Sequence, residues 1–247
     1  MSPSSTTEIV VYADADAVAD ALAERLLAEL AQIQADRVPQ LALTGGRIAT
    51  KAYQRLAAEG MHSAVDWSRV DLWWGDERFV PADDDDRNDH ATLALLTAAL
   101  PLDEDRIHRM PASDAGLGLD AAAAAYAAEL GNTAFDICLL GMGPDGHVAS
   151  VFPGHPSAAA TGRVIPVRDS PKPPPDRISL TLEVINASSQ VWFVVSGADK
   201  ADAAVKALLG AEGQPVPAAQ VAGVERTLWL LDEASAGTLP RDLGQRR

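Results

Sequence analysis

Two spacings of apolar residues alternate along the chain. Short apolar runs bounded by turn-forming residues read as β-strands at Ile9–Tyr12, Gln40–Leu43, Val70–Trp74, Phe135–Leu140, Val164–Val167, Val191–Val195 and Arg226–Leu231. Between them apolar residues return every three or four positions, the period of a helix with one buried face. Those stretches are Ala17–Ala35, Ile48–Ala58, His90–Leu100, Leu119–Leu130 and Asp199–Leu209. Such alternation predicts an α/β fold, a mostly parallel sheet with helices on both faces. There is no internal repeat and no long linker, so residues 8–238 are expected to form a single domain, with flexible termini at 1–7 and 239–247. Ser170–Arg177 carries proline at four of eight positions and is expected to be extended. The acidic run Asp83–Asp86 reads as a solvated loop.

Composition narrows the partners. The chain has 247 residues, 47% of them hydrophobic, enough for a sizeable core. Its formal net charge of -15 argues against a nucleic-acid or anionic-membrane binder, which needs a basic face. A small anionic ligand remains admissible, but its site must be locally basic. The single cysteine, Cys138, lies inside an apolar strand and reads as a small core residue. With one cysteine an intramolecular disulfide is impossible, which suits a reducing compartment. Met1–Thr7 is short and polar, unlike a signal peptide, and no uninterrupted apolar run is long enough to span a bilayer. The expectation is a soluble, cytoplasmic monomer with no nucleic acid and no membrane among its partners.

Candidate chemistry gathers at the ends of the predicted strands, where open α/β sheets bind ligands. The strand Phe135–Leu140 runs into Gly141-Met-Gly-Pro-Asp-Gly-His147. Gly141, Gly143 and Gly146 allow conformations closed to other residues, and His147 can shuttle a proton near neutral pH. Thr44-Gly45-Gly46 follows the second strand and precedes a helix, an arrangement that offers backbone N–H groups to an anion. It lacks the Gly-Lys-Ser/Thr ending of a P-loop. Asp76, Glu77 and Arg78 follow a third strand; Arg78 can hold a phosphate or carboxylate, and Glu77 reads as a salt-bridge partner. Arg177 ends the proline stretch. Lys200 stands in the first turn of a helix, where a cation opposes the dipole and an anionic ligand would relieve it.

The run Gly-Met-Gly-Pro-Asp-Gly-His-Val-Ala-Ser-Val-Phe-Pro-Gly154 resembles, residue for residue, the signature of the 6-phosphogluconolactonase family. The resemblance extends from Leu41 to Leu231 through Thr44-Gly45-Gly46, Trp74-Gly75-Asp76-Glu77-Arg78, Lys172-Pro-Pro-Pro-Asp-Arg177 and Ser196-Gly-Ala-Asp-Lys200. It implies a Rossmann-like fold shared with glucosamine-6-phosphate deaminases and ribose-5-phosphate isomerases. It also implies hydrolysis of a sugar-phosphate lactone, 6-phospho-D-glucono-1,5-lactone, in the oxidative pentose phosphate pathway. No cofactor is expected: no Gly-x-Gly-x-x-Gly opens a helix near the N-terminus, and the five histidines are too scattered for a metal cluster.

On this reading His147 is the general base and Asp145 orients either His147 or the sugar hydroxyls, which the residues leave open. Thr44, Gly45, Gly46, Asp76, Arg78, Arg177 and Lys200 bind the substrate. Two positions depart from the family pattern. Arg47 stands where a serine is usual, and Arg87 replaces a commoner serine before Asn88. The main rival, the deaminase/isomerase branch, follows the histidine loop with Phe-Asn-Glu-Pro-Gly, and its glutamate serves ring opening. Here that position is Phe152, which cannot exchange a proton. A regulator that kept the fold but lost activity is the second rival; intact Asp145, His147, Arg78 and Lys200 argue against it.

Overall fold

In chain order the elements are β1 (Thr6–Tyr12), α1 (Ala15–Gln34), β2 (Gln40–Leu43), α2 (Arg47–Gly60), β3 (Asp71–Trp74), β4 (Asp76–Arg78), α3 (Asn88–Leu96), α4 (Leu119–Leu130), β5 (Ile137–Leu140), β6 (Val164–Val167), β7 (Arg177–Leu180), α5 (Leu182–Asn186), β8 (Gln190–Val195), α6 (Ala201–Leu209), β9 (Arg226–Asp232), α7 (Glu233–Ala236) and β10 (Gln245–Arg246). The computed structural model describes residues 5–210, 213 and 215–247. Seven strands form one sheet in the order β10-β1-β9-β8-β5-β2-β3, and every pairing in it is parallel.

Side chains alternate across this sheet and build two cores. Leu41, Leu43, Ile137, Leu139, Trp192, Val194, Leu228 and Leu230 face α1, α2 and α3. Their neighbours Ala42, Cys138, Leu140, Val191, Phe193, Trp229 and Leu231 face α4, α5, α6 and α7. A strand buried on both faces has no polar side to show, which is why these strands read as unbroken apolar runs. Phe193 and Trp229 stack with ring centroids 3.7 Å apart on the second face. Cys138 is fully buried there, and burial pushes its thiol up to about 12.

Three features differ from the sequence reading. Val164–Val167 does form a strand, but it lies outside the parallel sheet. It belongs to a second, antiparallel sheet in the order β4-β7-β6. Pro166 cannot donate to a ladder, and β6 is accordingly an edge strand. The charged triplet Asp76–Arg78, read only as following a strand, is itself β4 of this sheet. The chain beyond Leu239 does not end as a free tail: β10 pairs with β1, and the Arg247 N–H donates to the Val11 carbonyl at 2.8 Å. At the other end Thr6 and Thr7 already pair with β9, whereas residues 1–4 of the expected flexible terminus lie outside the described residues.

Two tyrosines finish the strands that lead to the functional loops. The Tyr53 hydroxyl donates to the Thr44 carbonyl (2.9 Å) and accepts from the Thr44 N–H (3.1 Å). The Tyr126 hydroxyl does the same for Trp74, donating to its carbonyl at 3.2 Å and accepting from its N–H at 3.1 Å. Both rings are buried, and burial pushes both phenols well above their ordinary range despite the backbone contacts. Each hydroxyl replaces the strand partner that a backbone group lacks at the end of its ladder. Tyr53→Phe or Tyr126→Phe keeps the ring but strands a buried N–H and C=O, so each should cost about 1–3 kcal/mol in denaturant unfolding. An unchanged midpoint would mean that the hydroxyls do not hold these strand ends.

Candidate active site

Because the strands of the large sheet run the same way, the loops after β2, β3, β5, β8 and β9 open at one edge. A cleft of about 560 Å³ lies there. Thr44, Gly45, Gly46, Asp76, Arg78, His147, Arg177 and Lys200 all line it. Asp145 is the one expected site residue that is not on its wall; it stands behind His147, with Oδ1 at 2.5 Å from His147 Nδ1. Since a carboxylate can only accept, Nδ1 carries the proton of that bond. Nε2, the other ring nitrogen, has no hydrogen-bond partner among the described residues.

Glycine at position 143 makes this pairing possible. A Cβ there would stand 2.0 Å from His147 Nδ1 and 2.5 Å from Asp145 Oδ1, so no other residue leaves room for the pair. The loop is closed by Gly143 N–H donating to the His147 carbonyl at 3.0 Å. Phe152 is buried beside it, with its ring 4.7 Å from the imidazole and 5.8 Å from the Arg177 guanidinium. The position that separates this chain from the deaminase pattern is thus a packing residue between a cation and the histidine.

The cleft is basic in an acidic protein. Arg177 is buried and donates to the carbonyls of Lys172 (3.1 Å), Pro173 (3.0 Å) and Pro174 (3.2 Å). The proline stretch therefore grips the guanidinium by its backbone. Asp76 is 3.9 Å from Arg177 and is held by the Ser150 hydroxyl at 2.7 Å. Arg78 donates to the Asp86 carbonyl and has no carboxylate partner among the described residues. Lys200 lies in a short turn leading into α6, 3.2 Å from Asp199.

Lys172 also lines the cleft, with Nζ 3.3 Å from His147 Nδ1 and 3.7 Å from Asp145 Oδ1. In the sequence it lies inside the Lys172-Pro-Pro-Pro landmark, where no local pattern gives it a role. Burial lowers Lys172, Asp145 opposes that, and Lys200 and Arg177 add to it. Burial likewise lowers Arg177, against the pull of Asp76. For Asp145 burial favours the neutral acid, but the hydrogen bond from His147 and the charges of His147 and Lys172 outweigh it and hold the carboxyl well below the carboxylate range.

The two departures separate. Arg47 begins α2 and is on the cleft wall. Arg87 is buried away from it, paired with Asp89. Glu77 faces Arg87 at 4.0 Å, as a salt-bridge partner, but its nearer partners are backbone N–H groups. Among the described residues no group of three or more His, Cys, Asp or Glu side chains could hold a metal ion, and no helix is long and apolar enough to cross a membrane.

Residues 13–229 match the family described as glucosamine-6-phosphate isomerases/6-phosphogluconolactonase. The chain belongs to this family. It is 48% identical to a 6-phosphogluconolactonase of Streptomyces coelicolor over 254 residues, covering 97% of this chain and 97% of that one. Among solved structures, the 6-phosphogluconolactonase of Thermotoga maritima superposes with a TM-score of 0.81 at 28% identity, covering 92% of this chain and 100% of that one. A monomeric glucosamine-6-phosphate deaminase superposes with a TM-score of 0.78 at 18% identity, covering 92% and 98%. That likeness speaks for the fold alone. The family's two named activities thus share one architecture, and the side chains of the cleft must distinguish them.

The buried Glu77 yields a test of the site's scaffold. Burial, helped by Asp89, pushes its carboxyl up from 4.5 to about 8, against Arg87 and the N–H donors. The folded state then binds more protons than the unfolded state between those two values, so Glu77 makes stability fall as pH rises through that window. Glu77→Gln does not titrate. The stability of wild type relative to this variant should decline from pH 4.5 to about 8 and level off above. Urea unfolding at a series of pH values checks the slope, and a relative stability that rises with pH would reverse the sign.

Proposed function

We propose that the chain hydrolyses 6-phospho-D-glucono-1,5-lactone to 6-phospho-D-gluconate, a step of the oxidative pentose phosphate pathway, with His147 as general base. The observation that carries this reading is an imidazole tethered to Asp145 on the wall of a cleft that also holds Arg78, Lys172, Arg177 and Lys200. The lactonases among the relatives support it. So does Phe152, which gives the deaminase chemistry no proton-exchanging group.

A δ-lactone is an activated ester, so water can attack it without a covalent intermediate on the protein. Nε2 of His147 takes a proton from water as the oxygen adds to the lactone carbonyl carbon. Asp145 keeps Nδ1–H in place and stabilises the imidazolium that forms, much as the acidic member of a catalytic triad does. The carbonyl oxygen becomes an oxyanion, and the Lys172 ammonium adds positive charge on the histidine side of the cleft. Collapse breaks the bond between the carbonyl carbon and the ring oxygen, which receives the proton back from His147. The carboxylic acid then ionises. One water is consumed and nothing is oxidised or reduced.

The phosphate is assigned to Thr44–Gly46, the start of α2 and Lys200. No side chain caps the first amides of that helix, so they and the dipole remain available to an anion. Arg78 and Arg177 share the phosphate and sugar hydroxyls, Arg177 in an orientation set by the proline stretch.

Purified protein should hydrolyse freshly made 6-phosphogluconolactone well above the spontaneous rate, and His147→Asn should lower kcat by ~10²–10⁴-fold with little change in affinity for 6-phosphogluconate. Acid release followed in a weakly buffered indicator assay gives the rates, and calorimetry gives the affinity. A variant with near wild-type turnover would move the base elsewhere, and no acceleration by the wild type would sink the lactonase reading. Ammonia release from glucosamine 6-phosphate should be undetectable.

The phosphate assignment has its own test. Lys200→Ala should weaken 6-phosphogluconate binding about ten- to hundredfold in calorimetry, the worth of one charge-assisted hydrogen bond. Turnover of unphosphorylated gluconolactone should barely change. Equal losses on both lactones would remove Lys200 from the phosphate.

A further inference from the structure

A group of buried ionisable side chains next to the cleft takes no part in the chemistry above, and it surrounds one residue. Glu77 accepts the backbone N–H groups of Arg78 (2.8 Å), Asn88 (2.7 Å) and Asp89 (2.8 Å). Arg87 donates twice to Asp89, at 2.8 Å each, and to the Met110 carbonyl at 2.7 Å. Burying Glu77, Arg87 and Asp89 is costly unless their charges and hydrogen bonds are matched. What these contacts lock is the first turn of α3, and with it Asn88, which is 5% exposed and lines the cleft.

The orientation of the Asn88 amide follows from its partner. Nδ2 lies 2.9 Å from the Asp76 carbonyl oxygen, and only the nitrogen can donate there. Oδ1 therefore turns toward Gly45. A Cβ on Gly45 would stand 1.9 Å from that oxygen, so the glycine is what leaves it space. Among the described residues nothing donates a hydrogen bond to Oδ1.

We propose that Asn88 is a specificity-determining residue, its Oδ1 accepting a hydrogen bond from a ring hydroxyl of the lactone while the Glu77–Arg87–Asp89 cluster holds it in position. The proposal rests on the lactonase reading and extends it to the polyol part of the substrate. A site built to hydrogen-bond a substrate hydroxyl discriminates against the analogue lacking it, because an acceptor held in place for that hydroxyl loses its partner.

The test compares wild type and Asn88→Ala on 6-phosphogluconolactone and its 2-, 3- and 4-deoxy analogues. On the parent, kcat/KM should fall about tenfold in the variant, the upper worth of one neutral hydrogen bond. For one deoxy analogue the two proteins should differ by less than about twofold, because the hydroxyl that Asn88 reads is already missing. Asn88→Ser, which suits a helix start, serves the same comparison if the alanine variant does not fold. An equal loss on the parent and every analogue would make Asn88 part of the scaffold only, and no loss on the parent would remove it from the site; either overturns the proposal. A wild type inactive on the parent lactone would overturn the lactonase reading itself, and this proposal with it.

Discussion

The one-way run of the large sheet is the constraint on which the rest of this structure depends. Parallel strands end together, so the carbonyls and N–H groups beyond the last ladder bonds of β2, β3, β5, β8 and β9 are exposed at one edge, in the interior of the fold. Each must be satisfied or turned to use. Tyr53 and Tyr126 satisfy those of Thr44 and Trp74. Gly75 N–H returns to the Leu43 carbonyl at 2.9 Å, and Asp232 accepts the Gly197 N–H at 3.1 Å. What these bonds leave open is the wall of the cleft. The position of the cleft and the accounting of backbone hydrogen bonds are thus one problem with one solution.

Charge is distributed by the same geometry. A chain of net charge -15 repels anions at long range. Within the cleft the local balance is inverted, because Arg78, Lys172, Arg177 and Lys200 converge there while Asp76 and Asp145 are each already engaged, one by Ser150 and the other by His147. Burial acts against the charge of both Lys172 and Arg177, and the nearby carboxylates of Asp145 and Asp76 oppose it.

How much of this was legible in the sequence depended on whether a feature was local. The buried strands of the large sheet announced themselves because burial on both faces leaves an unbroken apolar run, as in Gln40–Leu43 and Phe135–Leu140. The residues that line the cleft were visible where glycine or charge directly follows such a run, as at Thr44–Gly46 and Asp76–Arg78, although the strand formed by the latter was not. The small antiparallel sheet was not visible. Its β4 is three charged residues and its β7 follows a proline stretch, and neither carries an alternating pattern to read. Lys172 and Asn88 reach the cleft through contacts 25 and 12 residues away in the chain, with His147 and the Asp76 carbonyl. Nothing in their own neighbourhoods distinguishes them from solvated side chains. Arg87 stood out only as a departure from the family pattern, and its part as a buried partner of Asp89 shows in the fold alone.

The short strand β10 bears on how the molecule meets its own copies. An open sheet ends in two rows of unpaired backbone groups, which can recruit another chain's strand and seed aggregation. At the β3 edge, a bridge between Leu72 and Ile107 occupies part of that row. At the opposite edge β10 covers the apolar β1 with Gln245 and Arg246, both exposed. The outermost strand of the sheet is therefore brief, polar and positively charged. A second molecule approaching edge-on meets its own like charge there rather than the inviting Ile9–Tyr12 segment beneath.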